Sequence, residues 1–419
     1  MNKDKIIKIV VELCRILLGV TFIFSGFVKA IDPMGFSIKI GEYLSAFGMD
    51  FLSELATFFA FCVISIEFAL GVSLLLGVYR KLMSIGIFLF MCVMTPLTLY
   101  LAIFNPVADC GCFGDALVIS NWETFFKNVV LLTATIIVLK YHKRLTLLYT
   151  DKAHWFVALF SFLFCMGFCY YNYNHLPMMD FRPYKIGENI TQLLEIPENA
   201  PQDEYHFIYE KDGIKKEFLI EDVPVGDDSW TYVDAKLVKQ GFIPVVSSFE
   251  LYDKEQNNIA DVILNEPRVL FLLVAPKLED ASDKHIDVIN DAYDYAMANK
   301  LPFFAVTGSS EEKISEWKKD TGADYPFLTA DDVLLKTIIR SNPGLVLLKQ
   351  GTILEKWHHN DIPEEEELGK IVLNYSNESF TLIDKENLPW TSIILGFTLP
   401  LLFVWIYDLF RNRKLRKKD

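Results

Sequence analysis

Cysteine is missing from more than half of this chain. All seven cysteines of the 419-residue sequence lie at or before Cys169, and residues 172–388 hold none. That absence excludes a disulfide framework, cysteine metal ligands and thiol chemistry from the region. Charge is also scarce, at 22% of residues against 52% hydrophobic. Basic residues are the rarer sign, and the net charge of −14 argues against nucleic acid as a partner. The imbalance is local: residues 171–388 carry 41 acidic and 21 basic groups, which leaves the remainder net basic. A basic apolar part joined to an acidic polar part reads as a membrane domain with a soluble domain.

Six apolar stretches reach the roughly 20 residues a helix needs to cross a bilayer. They are Ile6–Val28, Phe51–Gly77, Leu82–Phe104, Phe125–Tyr141, Trp155–Tyr171 and Trp390–Phe410. The first has no small-residue cleavage site and is too long for a signal-peptide core, so it reads as a retained span. Lys3, Lys5 and Lys8, Arg80 and Lys81, Lys140, Lys143 and Arg144, and the tail from Arg411 to Lys418 fall on one side. The excess of basic residues in short loops marks the cytoplasmic face. Both termini are expected there, with 29–50, 105–124 and 172–388 outside a bacterial inner membrane.

Ionisable groups at membrane depth are expensive and mark function or structural pairing. Arg15 and Glu67, at similar depth on antiparallel spans, are expected to meet. They read as a structural ion pair or as part of a polar site on a quinone or proton path. Glu12 lies close by, and Pro96 should kink the third span.

Cys14, Cys62, Cys92, Cys165 and Cys169 lie within spans and read as packing residues. Cys110 and Cys112 differ, in the outer loop Asp109-Cys110-Gly111-Cys112-Phe113-Gly114-Asp115. Residues two apart can close a small, strained and exchangeable disulfide. Gly111 and Gly114 allow the tight backbone. Lys29 and Lys127, near outer span ends, favour a thiolate, while Asp109 and Asp115 oppose one. A structural bridge and half of a metal site remain open, although the short loops offer no histidine partner.

Ser25-Gly26-Phe27-Val28-Lys29-Ala30-Ile31-Asp32-Pro33 together with Cys110-Gly111-Cys112-Phe113-Gly114 resembles the DoxX and MauE superfamily of four-helix membrane proteins, over about residues 5–145. The resemblance implies periplasmic disulfide formation, as in methylamine utilisation, or quinone-coupled oxidation. It makes Cys110 and Cys112 the candidate catalytic pair and Arg15, Glu67 and Lys29 the candidate quinone-binding residues. The bundle also resembles vitamin K epoxide reductase and the DsbB oxidases, whose cysteine pairs are spaced by two residues rather than one. The whole chain is similar to extended DoxX-family proteins of Bacteroidetes. No metal is expected. The expected partners are the membrane and a periplasmic protein client.

The outer region divides in two. Residues 173–265 carry strand signals at Tyr205–Tyr209, Lys216–Ile220 and Phe249–Tyr252, and read as a small β-rich module. Residues 266–388 alternate strand and helix. Strands are expected at Val269–Val274 and Phe303–Thr307, and a hairpin joins Leu345–Lys349 to Thr352–Trp357. Helices are expected at Ser282–Asn299 and Ser309–Asp320, capped by Ser282 and by a Ser309/Glu312 capping box. This order resembles thioredoxin, with Asn342-Pro343 at the place of its cis-proline. Ala275-Pro276-Lys277-Leu278-Glu279-Asp280 stands where the redox cysteines of that fold would be. The domain is therefore expected to bind a peptide or partner at the Pro343 edge rather than to react. His358 and His359 read as exposed strand-end residues.

The expected fold class is membrane α-helical. It comprises a DoxX/MauE-like four-helix bundle (1–145), a fifth helix (153–172), the β-rich module, the thioredoxin-like domain, a sixth helix (389–410) and a basic tail (411–419). The function is either thiol–disulfide exchange through Cys110 and Cys112 or a non-enzymatic scaffold that holds a periplasmic partner.

Overall fold

The computed structural model describes residues 3–415, apart from 108, 198, 202, 225, 228, 240, 243, 245, 247 and 377–389. The junction expected at 388–389 and the last residues of the basic tail lie outside the described residues. The chain divides into two compact units. One holds Met1–Arg182, Trp357–Ile362 and Leu382–Asp419, and the other holds Pro183–Lys356 and Pro363–Thr381.

The first unit is a helical bundle. Its helices are α1 (Lys3–Ile31), α2 (Pro33–Ala46), α3 (Ala56–Leu75), α4 (Arg80–Phe104), α5 (Asn121–Lys140) and α6 (His154–Asn174). The last helix of the chain, Trp390–Leu415, also belongs to it. Among the described residues five helices are long and apolar enough to cross a membrane: Asp50–Leu75, Arg80–Phe104, Asn121–Lys140, His154–Asn174 and Trp390–Arg411. Helix α1 is 29 residues long. Glu12, Arg15 and Lys29 interrupt its apolar run.

Small residues set how α1 and α3 meet. A Cβ on Gly71 would lie 2.7 Å from the Ile23 backbone nitrogen, and one on Gly26 would lie 2.9 Å from that of Phe68. This close backbone approach fixes the register of the two helices, as small residues do between membrane helices. Helix α4 packs on α5, where Asn128 donates to Thr98 at 3.2 Å, and it runs on through Pro96. Helix α6 closes on α3 through Ile64, Phe68, Cys165 and Cys169, so these two cysteines are buried packing residues as expected. The segment expected as an outer loop at 29–50 is instead largely α2. Asp32 caps it by accepting from Gly35, and Pro33 opens it. Both are sound helix-start signals.

At the other end of the bundle Arg80 donates to the carbonyls of Lys143 and Leu145, and Arg144 pairs with Asp4 at 2.9 Å. The basic loop ends therefore gather on one side.

The second unit begins with α7 (Ile190–Leu194) and a three-stranded sheet of β1 (Glu204–Lys211), β2 (Ile214–Phe218) and β3 (Thr231–Lys239), in the order β2-β1-β3. The expected strand at Phe249–Tyr252 reduces to isolated bridges from Tyr252 to Asn258 and Thr329, and β3 was not foreseen. Next come α8 (Ala260–Leu264), β4 (Leu270–Ala275), α9 (Ile286–Ala298), β5 (Phe303–Thr307), α10 (Glu311–Thr321), β6 (Phe327–Thr329), α11 (Asp332–Ile338), β7 (Gly344–Lys349), β8 (Thr352–His358) and α12 (Glu365–Ser376). The strands form one sheet in the order β6-β5-β4-β7-β8. Strands β4, β5 and β6 run parallel, and β7 runs antiparallel to β4. All six residues of β4 are buried, as a central strand covered on both faces requires. The Asn342-Pro343 bond is cis and precedes β7. The domain is thioredoxin-like. The final helix of the chain is α13 (Trp390–Leu415).

Two expected caps fail. Helix α9 starts at Ile286 because Ser282 is held elsewhere, its N–H donating to the Asn342 carbonyl at 2.9 Å. Ser309 makes no capping box, since its hydroxyl donates to Glu279 at 2.6 Å and accepts from Leu278.

Candidate functional site

The loop between α4 and α5 carries both candidate cysteines. Asn121 pins its ends by donating to Asn105 Oδ1 at 2.8 Å and to the Val107 carbonyl at 3.1 Å. Gly111 and Gly114 both take positive φ, 62° and 54°, and make the turn that carries the pair. Asp109 Oδ1 accepts from the Gly111 N–H at 2.8 Å. Cys110 Sγ and Cys112 Sγ lie 3.0 Å apart.

The pair lies in a loop outside the apolar spans, a place where side chains are ordinarily exposed. Cys110 and Cys112 are instead 3% and 8% exposed. They sit in an apolar cluster with Leu101 and Val107, flanked by Tyr43, Met94, Leu97 and Tyr100.

Beneath the loop lies a buried charged cluster. Lys29 Nζ donates to Glu67 Oε2 at 2.6 Å and to Ser25 Oγ at 3.1 Å. Ser25 in turn donates to the Cys112 carbonyl at 2.6 Å. The side chains of Lys29 and Glu67 are only 3% and 5% exposed. Removing both ions from water costs several kcal/mol each, which direct pairing and the extra hydrogen bond must offset. From the other side Lys127 Nζ stands 4.2 Å over the Phe113 ring.

These charges divide the two thiols. The Cys112 thiol is held below its ordinary range by the hydrogen bond from Cys110, with burial opposing and Lys127 and Lys29 adding to the lowering. Cys110 moves the opposite way, raised by its hydrogen bond to Cys112 and by burial. One neutral donor thiol beside one stabilised thiolate is the arrangement a reactive pair needs.

The expected pairing of Arg15 with Glu67 does not occur. Arg15 binds Glu12 at 2.7 Å and donates to the Thr146 carbonyl at 2.8 Å. The glycine contacts place Phe68 against Gly26, so Glu67 comes level with Lys29 and not with Arg15. Fourteen residues of helix separate Arg15 from Lys29, roughly 20 Å at 1.5 Å per residue. Arg15, Glu67 and Lys29 therefore do not form one quinone-binding site. Ser25 and Tyr43 were not foreseen. Ser25 was legible, since it stands four residues before Lys29 on one helix face. Tyr43 was not, because its segment was read as a loop.

The second unit offers less chemistry. A cleft of about 350 Å³ lined by Leu278, Glu279, Lys313 and Trp317 lies at the place of the missing cysteines. At the Pro343 edge expected to bind a peptide, Pro343 is buried and the Asn342 carbonyl accepts from the Ser282 N–H. His358, in the stretch Trp357–Ile362 of the first unit, is 3% exposed, contrary to the expected surface position, and burial holds its pKa down to about 3. No cluster of three metal-ligating side chains is found among the described residues.

Fold and site together define a multi-pass helical membrane protein with a buried dithiol at one end of its bundle. Residues 7–141 match the family of the methylamine utilisation protein MauE, and this N-terminal domain is of the DoxX/MauE type. Residues 203–240, the three-stranded sheet, match a domain of unknown function (DUF8463). No curated protein matches the chain. Among solved structures the chain is similar to the solution structure of a Bacteroides thetaiotaomicron protein provisionally named a protein disulfide isomerase. The identity is 15% and the TM-score 0.26, over 31% of this chain and 86% of that one.

Proposed function

We propose that this protein carries out thiol–disulfide exchange through Cys110 and Cys112 on the outer face of a bacterial inner membrane. The observation behind the reading is the pair itself: two thiols 3.0 Å apart, with Lys29 and Lys127 acting on Cys112. The Cys112 thiolate attacks one sulfur of a client disulfide. A mixed disulfide forms, and the client's other sulfur leaves as a thiolate and takes up a proton. Cys110 then gives up its proton and attacks Cys112 Sγ. The Cys110–Cys112 bond forms and the second client sulfur is released. Two electrons pass to the client, and the reverse sequence oxidises a client dithiol. Quinone coupling is not part of this scheme, because the three residues expected to hold the quinone are divided between two places.

The topology belongs to the same proposal. Six spans, α1 included, place both termini in the cytoplasm and the soluble unit in the periplasm. The gathering of Arg80, Lys143 and Arg144 at one end of the bundle supports this orientation.

Trapping tests the chemistry. Cys110→Ser should accumulate a mixed disulfide with a disulfide-bearing peptide through Cys112, because nothing resolves it. Cys112→Ser should trap far less. Equal trapping by both variants would refute the assigned roles.

A second reading is a non-enzymatic scaffold that holds a periplasmic protein. It is favoured by the cysteine-free outer unit and by its sheet β2-β1-β3. One face of that sheet gathers Tyr209, Phe218, Trp230 and Tyr232, with ring centroids 5.1–6.0 Å apart in successive pairs. Full biological function in a strain carrying Cys110→Ser with Cys112→Ser would support that reading and end the first.

A further inference from the structure

We propose that α2 is a latched cover over the Cys110–Cys112 pair, which must lift before either sulfur meets a client. The inference rests on the exchange reading for its purpose, but not for its geometry. The cysteines lie in a loop outside the bundle's spans, yet both are buried. Beside the α4 side chains of their cluster, Tyr43 and Lys39 of α2 close over them.

The Lys39 side chain lies along the turn between the two cysteines. A Cβ on Gly111 would stand 3.2 Å from Lys39 Cγ. Beyond that contact Lys39 Nζ reaches Asp109 Oδ2 at 3.2 Å. The other oxygen of that carboxylate holds the Gly111 N–H. One ion pair thus ties α2 to the turn that positions both sulfurs. One helical turn on, Tyr43 donates its hydroxyl to the Cys110 carbonyl and its ring joins the apolar cluster around both thiols.

The latches are of a releasable kind. The side chains of Lys39 and Asp109 are 23% and 22% exposed. Ion pairs reached by solvent are weak and screened by salt. The helix itself has a soft point between them. Gly41 lies inside α2 with nothing within 4 Å of where its Cβ would be. No close approach requires glycine there, and glycine inside a helix destabilises it relative to alanine. The N-terminal half of α2 is held more firmly, by the Asp32 cap and by the Ser37–Thr57 hydrogen bond at 2.9 Å. The stretch beyond Ser37, which carries Lys39, Gly41 and Tyr43, is the part placed to lift.

The test is the rate at which iodoacetamide alkylates the reduced pair in the full-length protein in lipid nanodiscs, read by mass shift. Lys39→Met keeps the aliphatic stem and removes the ion. Tyr43→Phe keeps the ring and removes the hydroxyl. Each should speed labelling by roughly two- to fivefold if labelling follows the open population. Gly41→Ala, which stiffens the cover, should slow it. Higher salt should speed the wild type and leave Lys39→Met unchanged. Labelling of Cys14, which packs in a separate cluster of the bundle, serves as the control. Equal rates across wild type, Lys39→Met and Tyr43→Phe would overturn the cover. A parallel rise at Cys14 would also overturn it, since that signals general loosening. The readout involves no client, so the cover can stand while the exchange chemistry fails, and the reverse.

Discussion

The helical bundle and the thioredoxin-like unit divide unequally the groups that the proposed thiol–disulfide exchange needs. The bundle has the dithiol, the buried lysine and the charge balance, on a scaffold of apolar helices. The second unit has a thioredoxin-like sheet with a cis-proline before β7, and no cysteine. Its cysteine position is filled by a 3-10 turn, Leu278–Asp280, tied down by Ser309. Fold alone therefore does not locate the chemistry in this chain, and the reactive groups have to be found residue by residue.

The sharpest way to break the contrast is to strand a charge in the bundle. Lys29→Met leaves Glu67 buried and unpaired, and should cost about 3–5 kcal/mol. The double change Lys29→Met with Glu67→Leu should recover much of that loss. Denaturant unfolding in detergent reads both, and an equally damaged double variant would contradict the pairing.

Helix spacing comes next. Gly71→Ala drives a methyl against the α1 backbone, so the helices must part, at a cost of about 1–3 kcal/mol. A thermal melt of the full protein measures it.

Lys127→Met should act on reactivity more than on stability. Without that cation the Cys112 thiolate loses support, so its alkylation profile should move to higher pH. An unmoved profile would assign the whole effect to Cys110 and Lys29.

His358 supplies an acid-side test. Its folded pKa of about 3 lies below the ordinary 6.5, so on acidification the unfolded chain takes up the proton first. Stability should fall as pH drops below 6.5 and continue falling through the folded value. His358→Asn should flatten that part of the profile.

The smallest effect is expected at Arg15. Its partners are Glu12 and a loop carbonyl, so Arg15→Leu and Glu67→Gln should add within about 0.5 kcal/mol. Strong coupling between them would restore the pairing expected from helix depth.

What was legible in the sequence follows from what local pattern encodes. Apolar runs marked the long helices of the bundle, and short apolar runs marked β4 and β5. Gln350-Gly351, both at positive φ, marked the β7–β8 hairpin. Depth along a helix did not predict the partner of Glu67, because pairing depends on the register set by Gly19, Gly26 and Gly71, a tertiary contact. The burial of Cys110 and Cys112 was hidden for a related reason. It depends on α2, whose start is signalled by Asp32-Pro33 but whose docking over the loop is not written locally. Ser282 and Ser309 had good capping patterns and were drawn off by Asn342 and Glu279, groups distant in sequence.

The most direct test is a redox equilibrium of the Cys110–Cys112 pair in the full-length protein, poised in dithiol buffers and read by mass-shift alkylation. Closing so small a ring gains little chain entropy, so the bond should be readily reduced. The account predicts an intramolecular disulfide with a potential above about −300 mV, the level below which structural bridges resist reduction. A pair that stays reduced at an oxidising poise, or a bridge below that level, would contradict it.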